Sequence, residues 1–117
     1  MRRDARACLD NVRQGADAIA RFIGNAGPHA FLSDELVQSA IERQFMIIGN
    51  ALTTLSKIDF VVGEKVPERR RIIGFRNLLV HGYGTVDPNL LYRLAREDAP
   101  KLRKAVDSLL ADLDKKR

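Results

Sequence analysis

The segment from Asp34 to Ile58 constrains the fold more than any other part of this 117-residue chain. Its centre reads Phe45-Met46-Ile47-Ile48, and Ala51, Leu52 and Leu55 follow. Apolar side chains therefore point in every direction around a helix, and a helix of this kind is buried on more than one side. With Ser33 as its predicted N-cap, the segment is expected to be the central helix of a bundle. It is also a candidate for a dimer interface.

The N-terminal part of the chain also predicts helical structure. One apolar stripe predicts a first helix over about residues 4–23. The stretch from Gly24 to Pro28 ends that helix, and a loop through His29 is expected to lead to the central helix.

The C-terminal half continues the helical pattern. A third helix is predicted from Glu68 to about His81, with Gly82 as its stop. Asp87 and Pro88 are typical of another helix start. Pro100 predicts either a kink or a fresh helix start. No segment has the pattern of a strand, so the expected fold is all-α: an antiparallel four- to five-helix bundle forming one domain over residues 1–117.

Composition narrows the class of partner. The chain has a formal net charge of +5, and fourteen of its 20 basic residues are arginine. Arginine suits phosphate because its planar group can donate two hydrogen bonds at once, so RNA or another phosphorylated ligand is favoured. No apolar run approaches the roughly 20 residues of a membrane span, and a cytoplasmic location is expected. The lone cysteine, Cys8, is expected to be a small buried apolar residue rather than a reactive thiol.

A basic cluster precedes and opens the third helix. Between Lys65 and Arg76 lie three consecutive arginines, Arg69, Arg70 and Arg71, with Glu68 as the only acid. Positive charge in the first turn of a helix opposes the helix dipole. The cluster is therefore interpreted either as a phosphate-binding surface or as a solvated helix start.

The stretch from Arg76 to Tyr83 concentrates polar groups on an apolar segment. On a helical wheel, Arg76 falls inside the apolar arc and should need an anionic partner. Glu42 on the central helix is one candidate for that partner. The functional interpretation, an arginine that binds phosphate, competes with an arginine paired internally to hold the bundle together.

The opposite stripe of the same helix carries Arg70, Gly74, Asn77 and His81. Asn77 and His81 are four residues apart and can touch. Gly74 costs a helix about 1 kcal/mol relative to alanine, which indicates either the approach of a ligand or a close helix crossing. Arg76 and His81 are about 140° apart on a regular helix. Either the long arginine side chain reaches round the helix, or two copies of this helix face each other across a homodimer, and we expect the second arrangement.

Other chemistries find little support in the sequence. There is no cysteine–histidine cluster with zinc-ligand spacing, no glycine-rich phosphate loop and no serine in a nucleophile elbow. No metal site and no cofactor are expected.

The spacing of Arg76, Asn77, His81 and Tyr83 resembles the R-x4-H-x-Y motif of the HEPN superfamily, and more narrowly the HepT-like toxins of prokaryotic MNT/HepT modules. The resemblance extends through Ile41-Glu42-Arg43, Ile47-Ile48-Gly49, Ile72-Ile73-Gly74-Phe75, Val86-Asp87 and Glu97-Asp98-Ala99-Pro100. It implies a homodimeric, metal-independent endoribonuclease that cleaves RNA.

The resemblance also assigns roles to residues. Arg76 and His81 would be the catalytic pair, supported by Asn77. Tyr83 would be the site that a cognate MNT-type nucleotidyltransferase antitoxin AMPylates to silence the toxin; without the resemblance it could equally be a half-buried loop anchor. Separately from the resemblance, the basic cluster and the missing side chain at Gly74 make Arg69, Arg70, Arg71 and Gly74 the expected RNA-binding residues. The alternative function is a non-catalytic helical subunit that binds RNA or nucleotide, or that regulates a nucleotidyltransferase.

Overall fold

The described part of the chain is helical, with no strand. A computed structural model describes residues 2–82 and 86–115, with side chains from residue 4 onward. Its elements are α1 (Arg2–Ile23), α2 (Pro28–Leu32), α3 (Glu35–Ile58), α4 (Phe60–Glu64), α5 (Arg69–His81), α6 (Pro88–Arg93), a π-helical turn (Leu94–Asp98) and α7 (Ala99–Lys115). The all-α prediction is confirmed, and the arrangement is compatible with a HEPN-like bundle.

Helix α3 is the centre of the bundle, as its all-round apolarity predicts. It packs against α1 on one side and α5 on another, and it also contacts α2, α4 and α6. Phe45 of α3 meets Phe75 of α5 edge to face, with ring centroids 5.6 Å apart. Both aromatic rings are buried, together with Ile41, Ile48, Leu52 and Leu55 of α3.

The boundaries of α3 differ by one residue from the prediction. Asp34 is the N-cap, and its carboxylate accepts a hydrogen bond of 3.1 Å from the Val37 backbone N–H. The prediction of Ser33 is wrong because the Ser33 hydroxyl instead donates to the Ala30 carbonyl, at 3.1 Å. That bond closes the end of α2, which occupies the place of the loop predicted through His29.

The α6–α7 region shows how the chain accommodates Pro100. Asp87 caps α6 through a bond of 2.9 Å from the Asn89 backbone N–H, with Pro88 in the first turn as predicted. The π-helical turn then widens the backbone before α7 begins at Ala99. Proline lacks the N–H that a regular helix needs, and π-helical turns commonly absorb such interruptions. The backbone stays right-handed helical at Leu94 and at Ala99, so Pro100 does not begin a separate helix after a break, and the interruption takes the form of the π-helical turn.

Helices α1 and α7 lie side by side and are tied by ion pairs. Arg103 Nε lies 2.5 Å from Asp17 Oδ1, and Arg6 pairs with Asp114. Cys8 on α1 is buried and free, as expected, and burial raises the pKa of its thiol. Within the described ranges, no helix is both long and apolar enough to cross a membrane.

Candidate active site on helix α5

Helix α5 begins and ends at left-handed residues. Glu68, its N-cap, has φ 60°, and Gly82, its C-cap, has φ 64°. The Gly82 N–H donates to the Leu78 carbonyl at 3.2 Å, so the helix stops directly after His81. Ile72 and Phe75 are buried and fix the inner face of α5 to the bundle, which orients the polar residues that follow.

Arg76 is half-buried and held by two amide oxygens. Its Nε donates to Asn50 Oδ1 at 2.5 Å, and its Nη1 donates to Asn77 Oδ1 at 2.7 Å. The predicted partner Glu42 makes no ion pair among the described residues; burial raises the pKa of its carboxyl. The amide oxygens fix the orientation of the guanidinium, and no carboxylate of residues 2–82 or 86–115 pairs with its positive charge.

Gly49 explains how the arginine stem approaches α3 so closely. A Cβ atom built on Gly49 would lie 2.6 Å from Arg76 Cγ, a distance that no side chain tolerates. Sequence reasoning considered Gly74 for a close helix crossing, but a Cβ there meets no atom within 4 Å. The close crossing lies at Gly49, and Gly74 opens to solvent.

Asn50 was missed by the sequence analysis. An exposed asparagine on a long helix has no feature that distinguishes it from a solvated residue. A signal was available in the preceding Gly49, because an interior helix glycine often marks a close approach.

His81 and Asn77 are exposed on α5, while Arg76 turns toward α3. The helix therefore separates the two proposed catalytic groups as the wheel predicts. Tyr83, the expected modification site, lies outside the described residues.

The basic cluster divides into paired and unpaired arginines. Arg69 is only 16% exposed in its side chain and lies 3.1 Å from the Glu64 carboxylate. Arg71 lies 3.6 Å from Glu68 and 3.5 Å from Asp98. Arg70 is exposed and has no carboxylate partner within the ranges that the structure describes.

Asp98, in the π-helical turn, is the most deeply buried charged residue of the described part, at 2% exposure. Its Oδ2 makes no hydrogen bond, although the Arg71 guanidinium lies nearby. Burial raises the pKa of this carboxyl; Arg71 opposes the rise and Glu68 adds to it. The interaction ties the start of α5 to the α6–α7 junction. Sequence patterns did not reveal it.

Comparison with known proteins identifies the family. The family described as "Ribonuclease HepT-like" matches residues 12–109, which include α3, α5 and every described residue of the site. The chain belongs to the HepT-like ribonuclease family. The HEPN-type resemblance stated from the sequence is thereby confirmed.

Relatives of this HepT-like chain carry ribonuclease names. A Methanocaldococcus jannaschii protein provisionally named as an RNase is 31% identical over 108 residues, which cover 91% of this chain and 96% of the relative. A Thermococcus cleftensis protein named as a probable ribonuclease HepT is 27% identical over 109 residues, covering 93% and 98%. A Caldanaerobacter subterraneus protein, also provisionally named as an RNase, is 27% identical over 105 residues, covering 90% and 93%. No solved structure gives a significant match.

The family supports an RNA-cleaving enzyme, and the site has the groups that such chemistry uses. A cationic guanidinium and an imidazole lie on one helix beside an exposed arginine. Between residues 2 and 82 and between 86 and 115, no three metal-ligating side chains cluster.

Proposed function

We propose that this HepT-like protein is the toxin of a type VII-like toxin–antitoxin module, a cytoplasmic endoribonuclease that needs no metal ion. The orientation of Arg76 is the observation that carries this proposal. Asn50 and Asn77 hold its guanidinium through neutral oxygens, so its charge stays available for an RNA phosphate. An arginine paired internally for stability would instead meet a carboxylate.

The proposed reaction is internal transesterification of RNA. The ribose 2′-oxygen attacks the adjacent phosphorus as His81 accepts the 2′-hydroxyl proton. Arg76 donates hydrogen bonds to the phosphorane oxygens, where negative charge develops. The 2′-O–P bond forms and the P–O5′ bond breaks, which gives a 2′,3′-cyclic phosphate and a 5′-hydroxyl. A proton delivered to O5′ completes the balance.

The proposal includes a homodimer because Arg76 and His81 are separated on the same helix. Arg76 turns toward α3 whereas His81 is exposed, so one helix does not easily aim both at one phosphate. In a homodimer, His81 of one protomer and Arg76 of its partner can face the same RNA linkage. Asn77, next to Arg76 and four residues before His81, supports both groups.

RNA binding at the start of α5 is proposed to depend most on Arg70, which is exposed and needs no rearrangement to meet phosphate. Arg69 and Arg71 contribute positive potential but would have to leave their carboxylates to bind phosphate directly. The open space at Gly74 admits a nucleic-acid backbone close to the helix.

Silencing is proposed to occur by AMPylation of Tyr83 by a cognate MNT-type nucleotidyltransferase. Tyr83 is two residues from His81 in the sequence. An added phosphate there would compete with the RNA phosphate for the same cations. Mass spectrometry of the Tyr83 peptide after co-expression with the transferase tests this step, and an unmodified peptide would reject it.

The enzymatic proposal is tested by purifying wild type, Arg76→Ala and His81→Ala, with Arg21→Ala as a control on an exposed arginine of α1. Each is incubated with total RNA, with and without chelator. Wild type and the control should release 2′,3′-cyclic phosphate ends in both conditions, and the two site variants should not. If the site variants cut RNA as well as wild type does, the assignment fails. If no form cuts RNA but wild type binds it, the non-catalytic subunit is the correct function.

A further inference from the structure

A shallow groove runs between α1 and α3 beside the proposed active site. Asn11 of α1 and Arg43, Ile47, Asn50 and Thr54 of α3 line it. The α3 residues are spaced by four, three and four positions, so they form one stripe along the helix. We call this surface, defined by these five residues, the α1–α3 groove.

The groove is continuous with the Arg76 site because Asn50 belongs to both. The Asn50 side-chain oxygen accepts the hydrogen bond from Arg76 Nε, and the same residue lines the groove. A strand whose phosphate meets Arg76 would therefore extend directly into this surface.

Arg43 gives the groove an exposed arginine without a carboxylate partner in the described part of the chain, a property that it shares with Arg21, Arg70 and Arg93. Arg6, Arg13, Arg69, Arg71 and Arg103 each meet a carboxylate. Arg43 is exposed and has no such partner within the described ranges. Around it, Asn11, Asn50 and Thr54 offer neutral donors and acceptors, and Ile47 supplies an apolar floor. This combination suits a sugar–phosphate backbone, which presents anionic phosphates between hydroxyl-bearing sugars.

We propose that the α1–α3 groove binds the RNA backbone next to the cleaved linkage, with Arg43 as its phosphate contact. This inference rests on the proposed ribonuclease function and names a substrate subsite for it. The contacts are with backbone, so they add affinity without selecting a base sequence.

The experiment compares Arg43→Gln with Arg21→Gln, each in a His81→Ala background that leaves the RNA intact. Arg21 is also exposed and lacks a carboxylate partner among the described residues, and it lies ten residues, or about 15 Å, from Asn11 along α1. Binding of a labelled single-stranded RNA is measured by fluorescence anisotropy across a salt series. Arg43→Gln should weaken binding roughly three- to fivefold. It should also reduce the steepness of the log K against log salt plot by about 0.7, the value for one lost phosphate contact on a single strand. Arg21→Gln should change neither.

The outcomes separate this inference from the proposed function. If Arg43→Gln binds with unchanged affinity and salt dependence while the protein with His81 cuts RNA, the groove assignment is wrong and the nuclease stands. If Arg43→Gln shows the predicted loss but the protein with His81 never cuts RNA, the groove assignment is supported and the ribonuclease proposal is wrong. If no form of the protein binds RNA, both the groove assignment and the ribonuclease proposal are rejected. Light scattering on Arg43→Gln completes the test, since loss of the dimer would make Arg43 an interface residue and overturn the inference.

Discussion

At the scale of single residues, the environment of Arg76 decides what the site can do. Asn50 and Asn77 hold the guanidinium from two helices, and Gly49 lets the arginine stem lie against α3. The side chain is thus oriented before any ligand arrives. A cation that is already oriented loses less conformational entropy when it stabilises the transition state than a cation that must first be ordered by the ligand.

Asn50→Ala tests this positioning role. Loss of the acceptor for Arg76 Nε should lower the cleavage rate about tenfold, because a hydrogen bond to a charged group contributes on the order of 1.5 kcal/mol. The affinity for RNA should change less than the rate. In an Arg76→Lys background, which keeps the positive charge but lacks the Nε donor, the same substitution should cost little further, since the coupled hydrogen bond is already gone. Lys57→Ala, an exposed change farther along α3, is the control. Equal losses in both backgrounds would contradict the role.

Two glycine substitutions should have opposite effects on stability. Gly49→Ala places a Cβ against Arg76 and should lower the free energy of unfolding by about 1–3 kcal/mol, as well as slowing cleavage. Gly74→Ala places a Cβ in open space and should raise that free energy by up to about 1 kcal/mol. Urea denaturation measures both. Because Gly74 is a proposed RNA contact, its alanine variant should still lose affinity for RNA despite greater stability.

The partner of Arg76 shows where prediction from sequence ends at this scale. The helical wheel correctly gave a partly buried arginine that needs an acceptor. It offered Glu42, whereas Asn50 lies two turns farther along the same helix. The choice depends on how far α5 slides along α3, and that register is set by packing such as the Phe45–Phe75 contact. A wheel drawn for one helix contains no information on the register between two helices.

At the scale of elements, long periodic segments were predictable and short ones were not. The first helix, the central helix and α5 agree with the prediction within one or two residues. The five-residue helices α2 and α4 are too short to show a period of 3.6 residues. They exist because neighbouring elements fix them: Phe31 of α2 is buried, and the Asp59 carboxylate caps α4 by accepting from the Val62 N–H at 3.1 Å.

The π-helical turn makes a prediction through Asp98. Burial raises the pKa of this carboxyl above its unfolded value, so the folded state prefers the protonated form. Its contribution to stability is therefore most favourable below the unfolded pKa and is lost as pH rises through the folded pKa. Asp98→Asn cannot ionise, so its stability relative to wild type should increase as pH rises through that window. Chemical denaturation at several pH values measures the difference.

A matched substitution separates Asp98 from general surface charge. Asp112→Asn removes an exposed carboxylate from α7 and is measured as the control at the same pH values. A constant difference for Asp98→Asn across the same range would show that this carboxyl is not the cause of the pH dependence.

At the scale of the whole molecule, α5 is an outer helix of the bundle with apolar residues left on its surface. Val80 is 45% exposed, directly beside His81, and Ile73 on the same helix is half-buried. Apolar surface next to a proposed catalytic group is what a homodimer built around the site would cover.

Val80→Asp should therefore weaken the proposed dimer and lower RNA cleavage together, because a charge at a dry interface would leave a carboxylate without a partner. A rough expectation is a tenfold or greater loss of dimer affinity. Leu36→Asp is the control, since Leu36 is 80% exposed at the start of α3. Light scattering gives the mass, and the cleavage assay gives the rate. A monomeric Val80→Asp protein that cuts RNA at the wild-type rate would rule out a site shared between two copies.

The left-handed end of α5 has a consequence for how the toxin that we propose would evolve. Gly82 is the single residue between the imidazole and the tyrosine proposed for silencing, and its φ of 64° costs other residues about 1–2 kcal/mol. Changes in this turn that helped the tyrosine evade its modifying enzyme would also disturb the last turn carrying His81. Mutations that abolish the proposed silencing would then tend to abolish the proposed ribonuclease activity as well, so few mutations would leave an active enzyme that its modifying partner cannot silence.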